Sequence, residues 1–160
     1  ELSNILSITR REEEEEEIIE EIKEEVNLDK IFQENLTKTN ILPANKIKYS
    51  TREPNPPENL FFYMEKIAKC PYVKEVRCVE YCRGKGIPRF NWRDNGKVSF
   101  EYFDRNNKGA QLIISPSEEL TSKDIHKQFL YGLAIYYWMQ KEIKEKIEGF
   151  NSLSNLLFHY

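Results

Sequence analysis

The segment from Thr121 to Gly149, TSKDIHKQFLYGLAIYYWMQKEIKEKIEG, limits this chain's folds more than any other. Its middle, Phe129 to Met139, is apolar or aromatic almost all the way round. A helix of that kind is buried on most sides. Ile125, Phe129, Leu133, Tyr136, Tyr137, Ile143 and Ile147 recur at three- and four-residue steps, so the pattern predicts a helix over 121–148. Thr121 is the expected cap, with Asp124 near the positive end of the dipole. Lys141, Lys144 and Lys146 suit the last turns, and Gly149 reads as the stop. Gly132 costs roughly 1 kcal/mol against alanine, so it is expected where another element comes close.

A buried helix needs a layer to be buried against. Asn55 reads as a second cap, with Pro56 in the first turn and Glu58 completing the box. That predicts a helix over 56–69, with Leu60, Phe61, Met64, Ile67 and Ala68 on its stripe and Pro71 beyond its end. From Val73 to Ser115 the period changes to two. Four strands are expected, at about 74–82, 87–93, 97–103 and 110–114. A three-residue loop, Asp94-Asn95-Gly96 with Gly96 left-handed, pairs Trp92 with Val98, Phe90 with Phe100, Asn91 with Ser99 and Arg89 with Glu101. That register makes one face aromatic and the other polar, and a slip of one residue would forfeit the buried face. Phe103 and Ile113 then fall opposite the core. The fold expected is α+β: an antiparallel four-stranded meander (about 74–114) packed against the 56–69 and 121–148 helices on one face.

Before this core lies a proline-rich loop, 37–57. In it Lys46, Lys48 and Arg52 alternate with Ile47 and Tyr49 as a short extended piece. Two domains of behaviour are expected, an acidic, partly helical arm at 1–27 and a single compact domain at 28–160. Residues 1–25 hold 11 acids and 3 bases, a net −8. The remaining chain holds 27 − 11 = 16 acids and 24 − 3 = 21 bases, a net +5. Narrow apolar stripes at both ends suggest protein-partner helices: Ile18, Ile19, Ile22 and Val26 on the arm, and Leu153, Leu156, Leu157 and Phe158 on the tail. Leu28, Ile31, Phe32 and Leu36 suggest a further short helix.

Three cysteines, Cys70, Cys78 and Cys82, point to reduced thiols and a cytoplasmic protein. No apolar run approaches the roughly 20 residues of a membrane span. Cys78 and Cys82, on one strand face some ~13 Å apart at ~3.3 Å per residue, do not fit a metal tetrahedron, and no cofactor is called for. No nucleophile–base pairing is recognisable, which points to binding rather than catalysis. The suggestive chemistry is basic. Tyr81 to Lys97 carries Arg83, Lys85, Arg89, Arg93 and Lys97 against Asp94 alone, with two glycines that let backbone N–H groups approach an anion. Lys123, His126 and Lys127 form a second cluster at the expected helix start. These residues predict a small nucleic-acid-binding accessory protein. The alternative is a non-catalytic interaction subunit of a replication, transcription or RNA-processing complex such as a primase or polymerase.

Overall fold

The computed structural model describes residues 39–149. The expected helices of the acidic arm, of 28–36 and of the tail lie outside the described residues. Element order is α1 (Pro43–Lys46), β1 (Ile47–Tyr49), α2 (Leu60–Ala68), β2 (Val73–Arg83), β3 (Arg89–Trp92), a 3-10 turn (Asp94–Gly96), β4 (Val98–Phe103), β5 (Lys108–Pro116) and α3 (Ile125–Ile143).

The architecture is mixed α+β, a five-stranded sheet in the order β1-β2-β5-β4-β3 with helices on one face. β3, β4 and β5 are consecutive antiparallel neighbours, and β2 joins antiparallel on the far side of β5. The extended piece at 47–49 becomes a fifth strand, parallel to β2, with Ile47 opposite Val76. Parallel neighbours need a crossover, and α2 supplies it between β1 and β2.

The hairpin has the expected register: Trp92 faces Val98, Phe90 faces Phe100, Asn91 faces Ser99 and Arg89 faces Glu101. Gly96 is left-handed at φ 75°, as is Asn95 at φ 65°. Val76, Cys78, Phe90, Val98, Phe100, Ala110, Leu112 and Ile114 are buried from the sheet. Against them lie Met64 and Ile67 of α2 and Tyr131, Ile135 and Met139 of α3. Each such apolar side chain contributes about 1.5–3 kcal/mol on leaving water. Lys46 is buried among them. Its Nζ donates to the Cys70 carbonyl at 3.1 Å, and burial lowers its pKa.

The helix ends depart from expectation. α2 starts at Leu60, not at residue 56. Pro57 disfavours helical backbone at Pro56, and Asn55 and Asn59 are both left-handed. α3 starts at Ile125 rather than Thr121. The Thr121 N–H and hydroxyl both donate to the Asp124 carboxylate, at 3.2 and 3.0 Å, closing a turn ahead of the helix. These bonds hold the Asp124 carboxyl below its ordinary pKa. α3 ends at Ile143, where Lys144 takes the left-handed conformation expected of Gly149. The chain then returns to β3: Glu148 N–H donates to the Pro88 carbonyl at 2.8 Å, and Phe90 N–H donates to the Glu148 carbonyl at 2.6 Å. Gly149 serves that approach, since a Cβ there would lie 1.8 Å from the Phe90 carbonyl oxygen.

Cys78 and Cys82 do not share a face. Their partners are Leu112 and Gly109, with a bulge between Cys78 and Glu80. The extra residue turns Cys78 into the core and leaves Cys82 on the open side. Burial raises both thiol pKa values, that of Cys78 to about 11. Among the described residues no helix is long and apolar enough to cross a membrane.

Candidate nucleic-acid interface

Among the described residues, the sheet's second face carries no helix. Its rows follow from the register. Cys82, Gly109 and Phe103 form one row. Glu80, Gln111, Glu101 and Arg89 form the next. Lys48, Arg77, Ile113, Ser99 and Asn91 form the third. Apart from Gly109, which is buried, this face is half-buried to exposed.

The basic residues lie around the rim of this face. Arg83 ends β2, directly opposite Lys108, and Lys85 follows in the connecting loop. Arg89 starts β3, and Arg93 follows that strand into the 3-10 turn. All four expected binders on this stretch are exposed. Among the described residues, none of Arg83, Lys85, Arg89 or Arg93 has a carboxylate oxygen within 4 Å. From the Gly109 row to the Ile114 row is five residues, about 17 Å at ~3.3 Å each. Arg83 and Lys85 therefore sit at one end of the sheet, Arg93 and Lys97 at the other, with Arg89 between.

The Arg93 end is joined to the start of α3. Asn95 N–H donates to Gln128 Oε1 at 3.2 Å, and Gln128 Nε2 donates to the Thr121 carbonyl. Gly96 is needed at this joint, because its Cβ would stand 2.9 Å from Leu120. Lys123, His126 and Lys127 are exposed on the adjoining turns. The structure thus brings the second basic cluster to Arg93 and Lys97 and keeps it from Arg83 and Lys85. Acids dilute it. Lys127 is 3.9 Å from Glu118, Lys74 is 3.8 Å from Glu119, and the Asp124 carboxylate occupies the turn before the helix. A cleft of about 350 Å³ here is lined by both signs: Lys74 and Lys97 with Glu75, Glu118 and Glu119.

The glycine loop has a packing role. Gly84 N–H donates to the Asn107 carbonyl at 3.0 Å. A Cβ on Gly84, Gly86 or Gly109 would stand 3.0, 3.5 or 2.5 Å from the Phe103 ring. Two glycines of one loop and Gly109 of β5, directly across from it, therefore frame one aromatic side chain on the open face. At the same end of β4 lies a cleft of about 600 Å³ with the opposite electrostatics, lined by Glu58, Tyr63, Phe103, Asp104, Arg105 and Glu145 among others. Tyr63 hydroxyl donates to Glu145 at 2.6 Å, and Arg105 pairs with Glu58 at 3.0 Å. Its carboxylates would repel a polyanion.

Lys97 and Lys108 extend the basic rim; the basic stretch already held Lys97, but composition alone did not single out Lys108. The register does, since Lys108 lies across from Arg83. Phe90 and Trp92 point to the core side, as their alternation requires, and Phe90 packs edge-on to Tyr136 with centroids 5.0 Å apart. Among the described residues, no group of three or more His, Cys, Asp or Glu is placed to hold a metal ion. No family model, curated protein or solved structure matches this chain.

Proposed function

We propose that this protein binds single-stranded nucleic acid along the rim of the open sheet face, as an accessory rather than a catalytic component. The observation that carries this reading is the run Arg83, Lys85, Arg89, Arg93: exposed cations spread over about 23 Å along the strand direction with no carboxylate within 4 Å among the described residues. Phosphates spaced along a strand suit such a row, and release of condensed counterions drives the association. Lys123, His126 and Lys127 continue the row past Arg93, weakened by Glu118 and Asp124. The acidic arm, net −8, competes for the same cations.

Fluorescence anisotropy of the full chain with labelled 12-mer DNA and RNA tests the proposal. Binding is expected in the micromolar range at about 50 mM salt, with log K falling by about 0.7 per phosphate contact for each tenfold rise in salt. Arg83→Glu with Arg89→Glu is expected to abolish it. Replacing Glu12 to Glu17 by Gln is expected to tighten it. Absence of binding at low salt in both the native chain and that Gln variant would sink the reading.

One observation favours a second reading, an interaction subunit of a larger replication, transcription or RNA-processing complex. Phe61 and Phe62 stand on α2 at 54% and 56% exposure. Large exposed aromatics side by side are a feature of protein contacts. A nuclease-treated pull-down that retains partners with the native chain, and loses them with Phe61→Ser, separates this reading from the first.

A further inference from the structure

We infer that Phe103 is the base-stacking residue of this interface, an aromatic platform on the open face with Lys85 in the loop beside it and Arg83 at the adjoining end of β2. The inference rests on the proposed binding of single-stranded nucleic acid. The alternation of β4 sends Val98, Phe100 and Tyr102 into the core, so Phe103 is the aromatic that faces the other way. A phenylalanine on an uncovered sheet face forgoes burial worth about 1.5–3 kcal/mol unless something covers it. Here the neighbours that frame it carry no side chain. Gly84 and Gly109 approach its Cδ1–Cε1 side and Gly86 its Cδ2–Cε2 side, and Phe103 remains half-buried. A Cβ at Gly109 would collide with that edge, at 2.5 Å from Cδ1.

The surroundings match an unpaired nucleotide. Lys85 lies beside Gly84 in the loop that frames the ring, and Arg83 and Lys108 sit at the adjoining strand ends, paired one residue out of phase with the Cys82–Gly109–Phe103 row. Phosphates on either side of a stacked base meet these cations. The next row on the face offers Gln111, Glu101 and Glu80, whose oxygens accept from the N–H groups of a base edge and repel phosphate. The backbone of the ligand is thereby kept on the cationic rim, with its bases turned over the sheet. Stacking on an aromatic face is tolerant of sequence, because every base has a π-face.

The test compares a 12-mer of thymidines with an abasic 12-mer of the same phosphate count, binding to native protein, Phe103→Leu and Phe103→Tyr. Stacking predicts that Phe103→Leu weakens the thymidine oligomer by about tenfold, leaves the abasic oligomer unchanged, and that Phe103→Tyr binds as the native chain does. Thermal unfolding of each variant separates lost packing from lost binding, and Leu is chosen because it keeps most of the volume under the glycines. If Phe103→Leu binds thymidines as tightly as the native protein, or weakens both oligomers equally, Phe103 is packing alone and the inference fails while the cationic interface stands. If the native protein binds neither oligomer, the proposed function itself fails.

Discussion

The two faces of this sheet are made from the same five strands and face opposite demands. On the covered side Phe90, Val98, Phe100, Leu112 and Ile114 are fully enclosed beneath α2 and α3. On the open side Ser99, Glu101, Gln111 and Ile113 occupy the alternate positions of the same strands, half-buried and largely polar. Burial decides the sequence of the first face, so its residues are interchangeable only by size and shape. The second is free of that requirement, and the choice of Phe103 with three glycines around it calls for another explanation. The difference teaches where stability ends and binding can begin.

Ile113 and Ile114 give this comparison at fixed chemistry, being adjacent on β5 and turned to opposite sides. Ile114→Ala is expected to cost about 2–5 kcal/mol, the range for a buried aliphatic truncation that leaves a cavity. Urea denaturation measures it. A smaller contrast comes from pH. Burial pushes the Cys70 thiol up to about 12 from its ordinary 9.0. Burial, followed by the charges of Asp104, Glu145 and Glu58, pushes the Tyr102 hydroxyl up to about 12 from 10.0. The unfolded chain therefore loses these protons first. The stability they contribute is complete below about pH 9 and is lost as pH rises towards about 12. Urea midpoints measured from pH 8 to 11 should fall, and Cys70→Ala should make the fall shallower. A flat profile would mean that water reaches the covered face. The smallest effect is expected from Ile113→Ala, about 1 kcal/mol or less by its partial burial. Should it equal the loss at Ile114, a second layer covers the open face and the comparison collapses.

Much of the covered face was legible in the sequence. The hairpin register followed from requiring Phe90, Trp92, Val98 and Phe100 to point one way, because a slip reverses every side chain at once. The middle of α3 was legible because its apolar residues run all round the helix. Its ends were not, since they are set by distant groups. Thr121 turns back on Asp124 and supports Gln128, and Lys144 bends the chain so that Glu148 can reach β3. Local propensity carries no record of such partners. The bulge near Val79 was equally hidden, and with it the separation of Cys78 from Cys82. So was the placing of β2 beside β5, for alternation names the faces of a strand and says nothing about its neighbours. Among the candidate binders, Arg83 to Arg93 kept their exposure, while Glu118 and Glu119, outside the basic motif, changed the character of the second cluster. Phe103 was visible as the aromatic out of phase with Phe100. Its significance depended on Gly84 and Gly86 arriving from the loop after β2 and Gly109 from β5.

The return of the chain to β3 after α3 has a kinetic consequence. α3 is fastened at both ends to the same short hairpin, through Gln128 to Asn95 at its start and through Glu148 to Phe90 just past its finish. A four-residue strand at a sheet margin would ordinarily fray by itself. Buckled this way, it can be released only when the long helix also lifts, so the amide of Phe90 and those of the α3 centre belong to one opening unit and exchange with solvent at a common rate. The rim that carries Arg89 and Arg93 thus draws its rigidity from the deeply buried α3, and among the described residues the cations stay in place without an acid within 4 Å to hold them.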